Sequence, residues 1–254
     1  MVILKSREEI EKMQASARIA SRALSLAMKA VKEGIQTREI DREVERFIRQ
    51  EGGIPAFKGY RGFPASVCIS INEEVVHGIP GNRRIRNGDL VSLDLGAILD
   101  GYCSDTAATV AVGDVKPGWM DLCRVTRECL ELAIDKMRVG NRLGDISNAV
   151  ESHARAHGYS VVKALAGHGI GRDIHEEPEV PNYGPAGFGM KLEPGLVLAI
   201  EPMVNMGGFE VRLKNDNWTV VTADGMPSAH FEHTIALLED GPLVLTRRED
   251  EMGG

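Results

Sequence analysis

The spacing of apolar residues predicts two helices at the start of the chain. Ser6 and Glu9 have the spacing of a capping box, and apolar positions then recur every three or four residues. Together they predict a helix over residues 7 to 32. A second helix is predicted to begin after Thr37, where apolar side chains again share one face, and to end at Gly52-Gly53.

The chain then changes to short runs of apolar and β-branched residues, separated by Gly, Asn and Pro. These runs predict strands at 67–71, 90–95 and 106–112. The same order then recurs, with predicted helices near 120–137 and 146–157 and predicted strands at 196–200, 209–213, 218–221 and 230–238. The pattern indicates an α+β protein. Its halves, 1–116 and 117–246, fit a duplicated unit as well as one domain without internal symmetry.

Composition limits the class of protein. The 254 residues are 43% hydrophobic and 26% charged, and no apolar run approaches the roughly 18 residues that cross a bilayer. With 30 Lys and Arg against 37 Asp and Glu, the formal net charge is −7. This balance argues against a nucleic-acid or anionic-membrane partner. We therefore expect a soluble globular protein with no membrane association and no specific nucleic-acid recognition.

The cysteines and the termini indicate the compartment. Cys68, Cys103, Cys123 and Cys129 form no Cys-x-x-Cys pair, which favours reduced thiols over a disulfide framework or a thiolate zinc site. No signal-like apolar segment develops at the N-terminus, so a cytoplasmic location is expected. The polar residues 247–254 are predicted to form a frayed tail.

Two aspartates in the predicted strands are placed by a hairpin signal. Asp100-Gly101 is a strong two-residue turn, so Asp94 pairs with Ala107 and Asp105 is its diagonal neighbour on the same face. Their β-carbons are then under about 7–8 Å apart. Half-buried carboxylates this close repel each other unless a proton or a metal lies between them. A hairpin in which one aspartate caps the turn and the other is solvated is the alternative.

Two glutamates lie in comparable apolar patterns. Glu201 ends the run 196–200, and Glu232 is embedded in the run 230–238, where His230 shares its face and is a candidate to line the same cavity. With the aspartates they make four acids at positions where apolar side chains are expected, and no Lys or Arg has matching alternation. Burying unpaired carboxylates costs several kcal/mol each, so we expect cations to compensate them. A pair of divalent metal ions with a bridging hydroxide suits such ligands.

Three histidines stand out near glycines. The glycines of the segment 166–178 exclude a stable helix and permit the close approach of a ligand. Within it His168 and His175 are seven residues apart, which would place them on opposite faces of a strand and predicts different roles. His77 precedes a Gly-x-Pro turn, where a surface turn residue is the alternative.

The order of these residues resembles that of the type I methionine aminopeptidases, M24-type metallopeptidases of the pita-bread fold. The resemblance covers nearly the whole chain. It rests on Asn72–Pro80 (NEEVVHGIP), Asp94 with Asp105, Gly167–Gly171 (GHGIG), His175–Pro178 (HEEP), Ile200–Met203 (IEPM) and Phe231–Thr234 (FEHT). It implies a single catalytic domain of pseudo-twofold α+β architecture, with a curved antiparallel sheet flanked by helices.

The resemblance also implies a metal centre. The implied ligands of two divalent ions, drawn from Co, Mn, Fe or Zn, are Asp94, Asp105, His168, Glu201 and Glu232. Asp105 and Glu232 are expected to bridge the ions, with Asp94 on one of them and His168 with Glu201 on the other.

Catalytic and substrate-binding residues follow from the same resemblance. Glu201 is implied as the proton shuttle, His175 as the residue that steadies the oxyanion, and His77 as a contact near the leaving amide nitrogen. The methionine side chain is expected against Tyr60, Phe63, Cys68, His77 and Trp218. For Tyr60 and Phe63, ordinary packing is the alternative role.

The implied reaction is removal of the N-terminal methionine from a nascent polypeptide whose second residue is small, with the bridging hydroxide attacking the scissile carbonyl. A cytoplasmic monomer is expected, with the ribosome as a candidate partner. Neither a long C-terminal insertion nor an N-terminal zinc-finger extension is evident, which favours type I. Two alternatives are an X-Pro peptidase, which shares the five ligands but usually carries an additional N-terminal domain, and a catalytically dead binding module on the same scaffold.

Overall fold

A computed structural model describes residues 2–251. Its helices are α1 (Arg7–Ala30), α2 (Thr37–Gln50), α3 (Pro117–Lys136) and α4 (Leu143–Ala156). Its strands are β1 (Ile54–Pro55), β2 (Cys68–Ile71), β3 (Glu74–Val76), β4 (Leu90–Leu99), β5 (Tyr102–Ala111), β6 (Ser160–Val161), β7 (Ala166–Gly169), β8 (Glu176–Pro181), β9 (Val197–Ile200), β10 (Met203–Asn205), β11 (Val211–Leu213), β12 (Val220–Thr222), β13 (Ser228–His230), β14 (His233–Leu238) and β15 (Gly241–Val244). Two 3-10 turns lie at Tyr60–Gly62 and Glu249–Glu251.

The predicted helices are confirmed, with small differences at their ends. α1 begins at Arg7 because Ser6 and Glu9 form the predicted capping box, in which the Ser6 amide donates to the Glu9 carboxylate over 2.9 Å. It ends at Ala30, two residues early, because Val31 is extended. Within the described residues no helix is both long enough and apolar enough to cross a bilayer.

The hairpin of β4 and β5 has the predicted register. Asp94 pairs with Ala107, and Gly96 pairs with Asp105, so the two aspartates are diagonal neighbours. Asp100 and Gly101 form the turn with positive φ values of 50° and 76°. Both strands are longer than predicted because the pairing continues to the turn, from Leu90 opposite Ala111 to Leu99 opposite Tyr102.

The predicted strand 230–238 is wrong in one respect, because it is two strands in different sheets. β13 pairs with β10, whereas β14 lies in a five-stranded sheet of order β15-β14-β9-β7-β8. The break falls at Phe231-Glu232, where the Glu232 amide and carbonyl bond instead to Ala107 of β5. The interruption places Glu232 beside the hairpin that carries the aspartates.

Threonine hydroxyls fasten the hairpin to this break. Thr106 donates to the Glu232 carbonyl at 3.0 Å, and Thr234 both accepts from the Asp105 amide and donates to the Asp105 carbonyl. These bonds are buried, so they compete little with water and fix the position of Asp105 against Glu232.

Helices cover the sheets. The Ser16 hydroxyl of α1 lies 2.9 Å from the Ala97 carbonyl and 2.9 Å from the Ser104 hydroxyl, so α1 packs closely on the hairpin. α3 packs beside α4, and the Cys129 thiol donates to the Val150 carbonyl. Leu24, like other fully buried leucines here, contributes about 1.5–3 kcal/mol by leaving water.

The predicted frayed tail is wrong for residues 247–251, whereas residues 252–254 lie outside the described part of the chain. Arg248 is only 5% exposed and pairs with Glu251. Glu251 also lies 3.5 Å from Nε2 of the buried His233, whose Nδ1 contacts the Thr246 hydroxyl. Polar residues here bond to one another and to a buried histidine, which local composition does not reveal.

Candidate metal centre

Five predicted ligands converge from both halves of the chain. Asp94 and Asp105 come from the β4–β5 hairpin, and His168 comes from β7. Glu201 follows β9 and Glu232 precedes β14, which are neighbouring strands of the five-stranded sheet. All but Glu201 are buried, with Asp105 only 4% and Glu232 only 2% exposed, and the Glu201 side chain is 14% exposed.

The side-chain atoms of this cluster lie close together. His168 Nε2 is 3.5 Å from Glu201 Oε1 and 4.0 Å from Asp105 Oδ2. One ligand atom from each of Asp105, His168 and Glu232 falls within 4.8 Å of the others. The alternative in which one aspartate is solvated is therefore wrong, because Asp94 and Asp105 are both buried.

The acids have no basic partner. Among residues 2–251 no Lys or Arg forms an ion pair with Asp94, Asp105, Glu201 or Glu232. Oδ1 of Asp94 and Oε1 of Glu232 are buried, and neither has a hydrogen-bond partner in the described part of the chain. Such atoms cost free energy unless a cation or a proton satisfies them.

The pKa values of the four acids are raised, which is consistent with the lack of a neighbouring positive charge. Burial, followed by the charge of Asp105, raises the pKa of the Asp94, Glu201 and Glu232 carboxyls well above the ordinary range. Burial also raises the pKa of Asp105 to about 7, against the opposing effect of the Thr106 amide. Without cations these acids hold protons, and a divalent ion can take the place of those protons.

His168 has the tautomer and the charge state that a metal ligand requires. Its Nδ1 lies 2.9 Å from the Gly169 carbonyl, which fixes the proton there and leaves Nε2 free toward the carboxylates. Burial lowers the pKa of His168 to about 4, so the ring is neutral, as a ligand must be. One imidazole and four carboxylates suit divalent first-row ions.

Glycines on either side of His168 let β7 approach its neighbours. A β-carbon at Gly167 would lie 2.4 Å from the Ala199 carbonyl oxygen, and one at Gly169 would lie 2.1 Å from the Glu177 carbonyl oxygen. The glycines were expected to admit a ligand. Within the protein they admit the adjacent strands β9 and β8, which hold His168 in place.

The two histidines of the glycine-rich segment are adjacent, which the sequence spacing did not predict. The chain turns between β7 and β8, and the ring centroids of His168 and His175 lie 4.2 Å apart. His175 also stacks on Tyr60, with Nδ1 2.9 Å from the Tyr60 hydroxyl. Burial of the ring, followed by the charges of His168, Arg61 and His77, lowers its pKa to about 3, although part of the residue remains exposed to solvent.

His77 lies in a constrained, partly buried position. Its φ is +59°, and its ring meets Trp218 edge-on at a centroid distance of 6.3 Å. Burial lowers the pKa of the ring. The alternative of a solvated surface turn does not describe this residue.

Three of the five residues predicted for the methionine pocket pack together. Phe63 contacts Trp218 edge-on at 5.1 Å, and Cys68 belongs to the same apolar cluster. Cys68 lies directly opposite Asp94 in the pairing of β2 with β4, so this cluster adjoins the acids. Tyr60 lies apart from it, against His175.

Comparisons with known proteins identify the family of this chain. The model of metallopeptidase family M24 matches residues 11–239. A methionine aminopeptidase of Clostridium perfringens is 50% identical over 97% of this chain and 99% of its own length. This chain belongs to metallopeptidase family M24, among the methionine aminopeptidases. The crystal structure of the methionine aminopeptidase of Thermotoga maritima superposes with a TM-score of 0.96 at 42% identity, over 98% of this chain and 100% of that one.

The superposition confirms the predicted α+β pita-bread fold of the M24 family. A prolidase from Pyrococcus furiosus shares the fold less closely, with a TM-score of 0.80 and 26% identity. The match covers 97% of this chain but only 66% of that prolidase.

Of two further residues beside this M24 site, His230 was a candidate from the sequence, whereas Lys5 was not predicted. His230 is buried with neither ring nitrogen hydrogen-bonded, and its Nε2 lies 3.8 Å from Glu201 Oε2. Lys5 forms a buried pair with Glu176, the residue after His175. His230 shares a face with Glu232, a usable signal, but no local pattern connects Lys5 to a residue so distant in the chain.

Proposed function

We propose that the chain removes the N-terminal methionine from polypeptides whose second residue is small, using two divalent metal ions. The observation that carries this proposal is the set of four carboxylates around His168, three buried and one partly buried, that have no Lys or Arg partner among residues 2–251. A chain 50% identical to a methionine aminopeptidase supplies the substrate class.

The ligands are divided between the two ions. Asp105 and Glu232, which the Thr106 and Thr234 hydrogen bonds hold against each other, would be shared by both ions. Asp94 would hold one ion and His168 with Glu201 the other; Co, Mn, Fe and Zn all suit these donors. When bound, the ions polarise the scissile carbonyl and lower the pKa of the attacking water.

Glu201 moves the proton. Its carboxylate lies 3.5 Å from His168 Nε2 and 3.8 Å from His230 Nε2, at the side of the cluster that is partly exposed, where it can reach an attacking water. It passes that proton to the leaving amine of the shortened peptide. His230, neutral and without another partner, faces the second oxygen of this carboxylate and orients it.

His175 and His77 contact the substrate. The Tyr60 hydroxyl bonds to Nδ1 of His175, which leaves Nε2–H free to donate to the oxygen of the tetrahedral intermediate. A neutral imidazole suits this role because it keeps its donor across the working pH range. His77 lies near the amide nitrogen of the scissile bond, on the Trp218 side of the site.

The methionine side chain occupies the apolar cluster beside Asp94. Phe63, Cys68 and Trp218 provide an aromatic and sulfur-containing wall of the kind that a thioether packs against well. His77 borders this wall through its edge-on contact with Trp218, whereas Tyr60 contributes from the His175 side of the site. Cleavage by cytoplasmic monomers acting on nascent chains, near the ribosome, completes the proposal.

An X-Pro peptidase is the second candidate because prolidases share the fold. The lower identity to the P. furiosus prolidase, 26% against 50% for the C. perfringens relative, favours methionine. Four clustered acids with raised pKa values also argue against a binding module, which has no use for them.

A peptide-cleavage panel with and without chelator tests the proposal. We expect rapid cleavage of a Met-Gly peptide, slow cleavage of a Met-Leu peptide, and loss of both with chelator. Preference for an X-Pro peptide would select the second candidate. Chelator-resistant cleavage would contradict the metal-dependent mechanism.

A further inference from the structure

A second cluster of metal-ligating side chains lies outside the catalytic centre, on the outer helices α3 and α4. Glu128 of α3 and His153 of α4 contact each other, with His153 Nε2 2.8 Å from Glu128 Oε2. His157, at the end of α4, brings its ring to 4.5 Å from that of His153. One ligand atom from each of the three residues lies within 4.8 Å of the others.

The spacing of the histidines fits one ion. Residues four apart on a helix share a face, and two histidines in this arrangement are a known zinc-binding pair. Nδ1 of His157 lies 3.0 Å from the His153 carbonyl, which leaves Nε2 of His157 free for a ligand. The cluster is also partly exposed, since the His153 side chain is 21% and the Glu128 side chain 39% exposed. An ion can therefore enter without unfolding the helices.

Glu128 is held in position as a third ligand. Arg124 donates to Oε1 at 2.6 Å and to Oε2 at 2.8 Å, and this contact orients the carboxylate toward His153. α3 and α4 are packed together beneath the cluster by Cys129 and Val150, both buried. The three ligands therefore come from a rigid helix pair and require only small side-chain adjustments.

The adjustment can be stated from coordination geometry. A tetrahedral zinc ion about 2.0–2.1 Å from each ligand needs those atoms about 3.3 Å apart. The contact of His153 with Glu128 is shorter than that, so the hydrogen bond between them gives way to the ion. Two imidazoles and one carboxylate select a late first-row ion over Mg²⁺ or Ca²⁺, with water at the remaining position.

We propose that Glu128, His153 and His157 bind one Zn²⁺ or a similar late first-row divalent ion, separately from the catalytic ions, and that this ion braces α3 against α4. The site needs no substrate and no catalytic residue. It is independent of the function proposed above.

Zinc stoichiometry at buffered free Zn²⁺ tests the site. The purified full chain, the double variant His153→Gln/His157→Gln and the control Arg155→Gln are compared by elemental analysis and by peptide cleavage. Arg155 is exposed on the same helix and outside the cluster. We expect the double variant to bind one Zn²⁺ fewer per chain than the wild type and the control, with cleavage unchanged.

A single variant tests the site even if the double variant does not fold. His157→Gln leaves the contact of His153 with Glu128 intact and changes only an exposed side chain, so it keeps the fold while weakening zinc binding. The thermal midpoint should rise with Zn²⁺ more in the wild type than in this variant. Equal zinc stoichiometry in the wild type and both histidine variants would overturn the site.

Discussion

Two clusters of acids and histidines in this protein are similar in composition and opposite in environment. The catalytic cluster is buried and its acids have no Lys or Arg partner within the described residues, so their pKa values rise. In the α3–α4 cluster, Glu128 is partly exposed and bonds to Arg124 and His153, and its pKa falls despite some desolvation. The need for a metal at the first site therefore comes from burial without counter-charge, whereas the number of acids alone does not create it.

Glu176 distinguishes the effect of burial from the effect of a missing counter-charge. The Glu176 side chain is only 9% exposed, which is similar to the catalytic acids. Unlike them, it has a cationic partner, because Lys5 Nζ lies 2.5 Å from its Oε2. Its other oxygen accepts from the Arg172 and Asp173 amides in the segment that leads to His175. A buried acid that pairs with a lysine, as Glu176 does, forms a structural ion pair. Buried acids without such a partner favour the binding of a metal ion.

The largest effect is expected where no basic residue compensates the acids. Glu232→Gln removes the charge of the proposed bridging carboxylate, so we expect kcat/KM for a Met-Gly peptide to fall by at least about 10⁴-fold, because both proposed ions depend on it. Metal content should fall with activity. Glu11→Gln, at an exposed position of α1 outside both clusters, is the matched control and should keep full activity and metal content; an active Glu232→Gln variant would remove Glu232 from the ligand set.

Removing Lys5, the cation that pairs with Glu176, should destabilise the fold. Lys5→Met leaves a buried unpaired carboxylate, and we expect the free energy of unfolding in urea to fall by about 3–5 kcal/mol. kcat should fall as well, since the segment before His175 loosens. Lys12→Met, at the exposed pair with Glu8, is the control and should unfold like the wild type. Similar stability of both variants would show that burial does not distinguish these pairs.

Metal-free protein should lose stability as the pH rises. The catalytic acids have pKa values above those of the unfolded chain, so their stabilising contribution is complete below about pH 4 and is lost through the Asp105 pKa of about 7. We expect the thermal midpoint of chelated protein to fall by about 5 °C or more between pH 5 and pH 8.

Metal-loaded protein is the control for that measurement, because its ions stabilise the ionised carboxylates and remove the decline. Asp105→Asn should flatten the decline in the metal-free protein. A metal-free protein that is more stable at pH 8 than at pH 5 would contradict the assignment of raised pKa values to these acids.

The smallest effect is expected at the helix surface. Glu128→Gln should change the free energy of unfolding of the zinc-free protein by less than about 0.5 kcal/mol, because partly exposed ion pairs contribute little. Urea denaturation with chelator present measures this. A loss comparable to that of Lys5→Met would mean that the two environments differ less than burial indicates.

Local sequence signals were sufficient for the hairpin. The turn at Asp100-Gly101 and the alternation of side chains gave the pairing of Asp94 with Ala107, and the structure confirms it. The capping box likewise gave the start of α1 at Arg7. Such signals act within a few residues, so the sequence carries them without tertiary contacts.

Contacts between distant residues were not predictable in this way. The odd spacing of His168 and His175 suggested separation, but the turn between β7 and β8 brings their rings to 4.2 Å. The tail residue Glu251 was expected to be frayed, but its carboxylate lies 3.5 Å from Nε2 of the buried His233 in β14. Neither result depends on local periodicity, because each partner belongs to another element or another turn of the chain.

The sequence by itself determined that the chain carries four acids in apolar strand patterns, and therefore a deficit of positive charge. Tertiary structure decided where that deficit lies. The break between β13 and β14 places Glu232 against β5, and buried threonine hydroxyls lock Asp105 beside it. Side-chain alternation follows from covalent geometry and can be read along the chain, whereas the meeting of distant strands depends on packing the whole core.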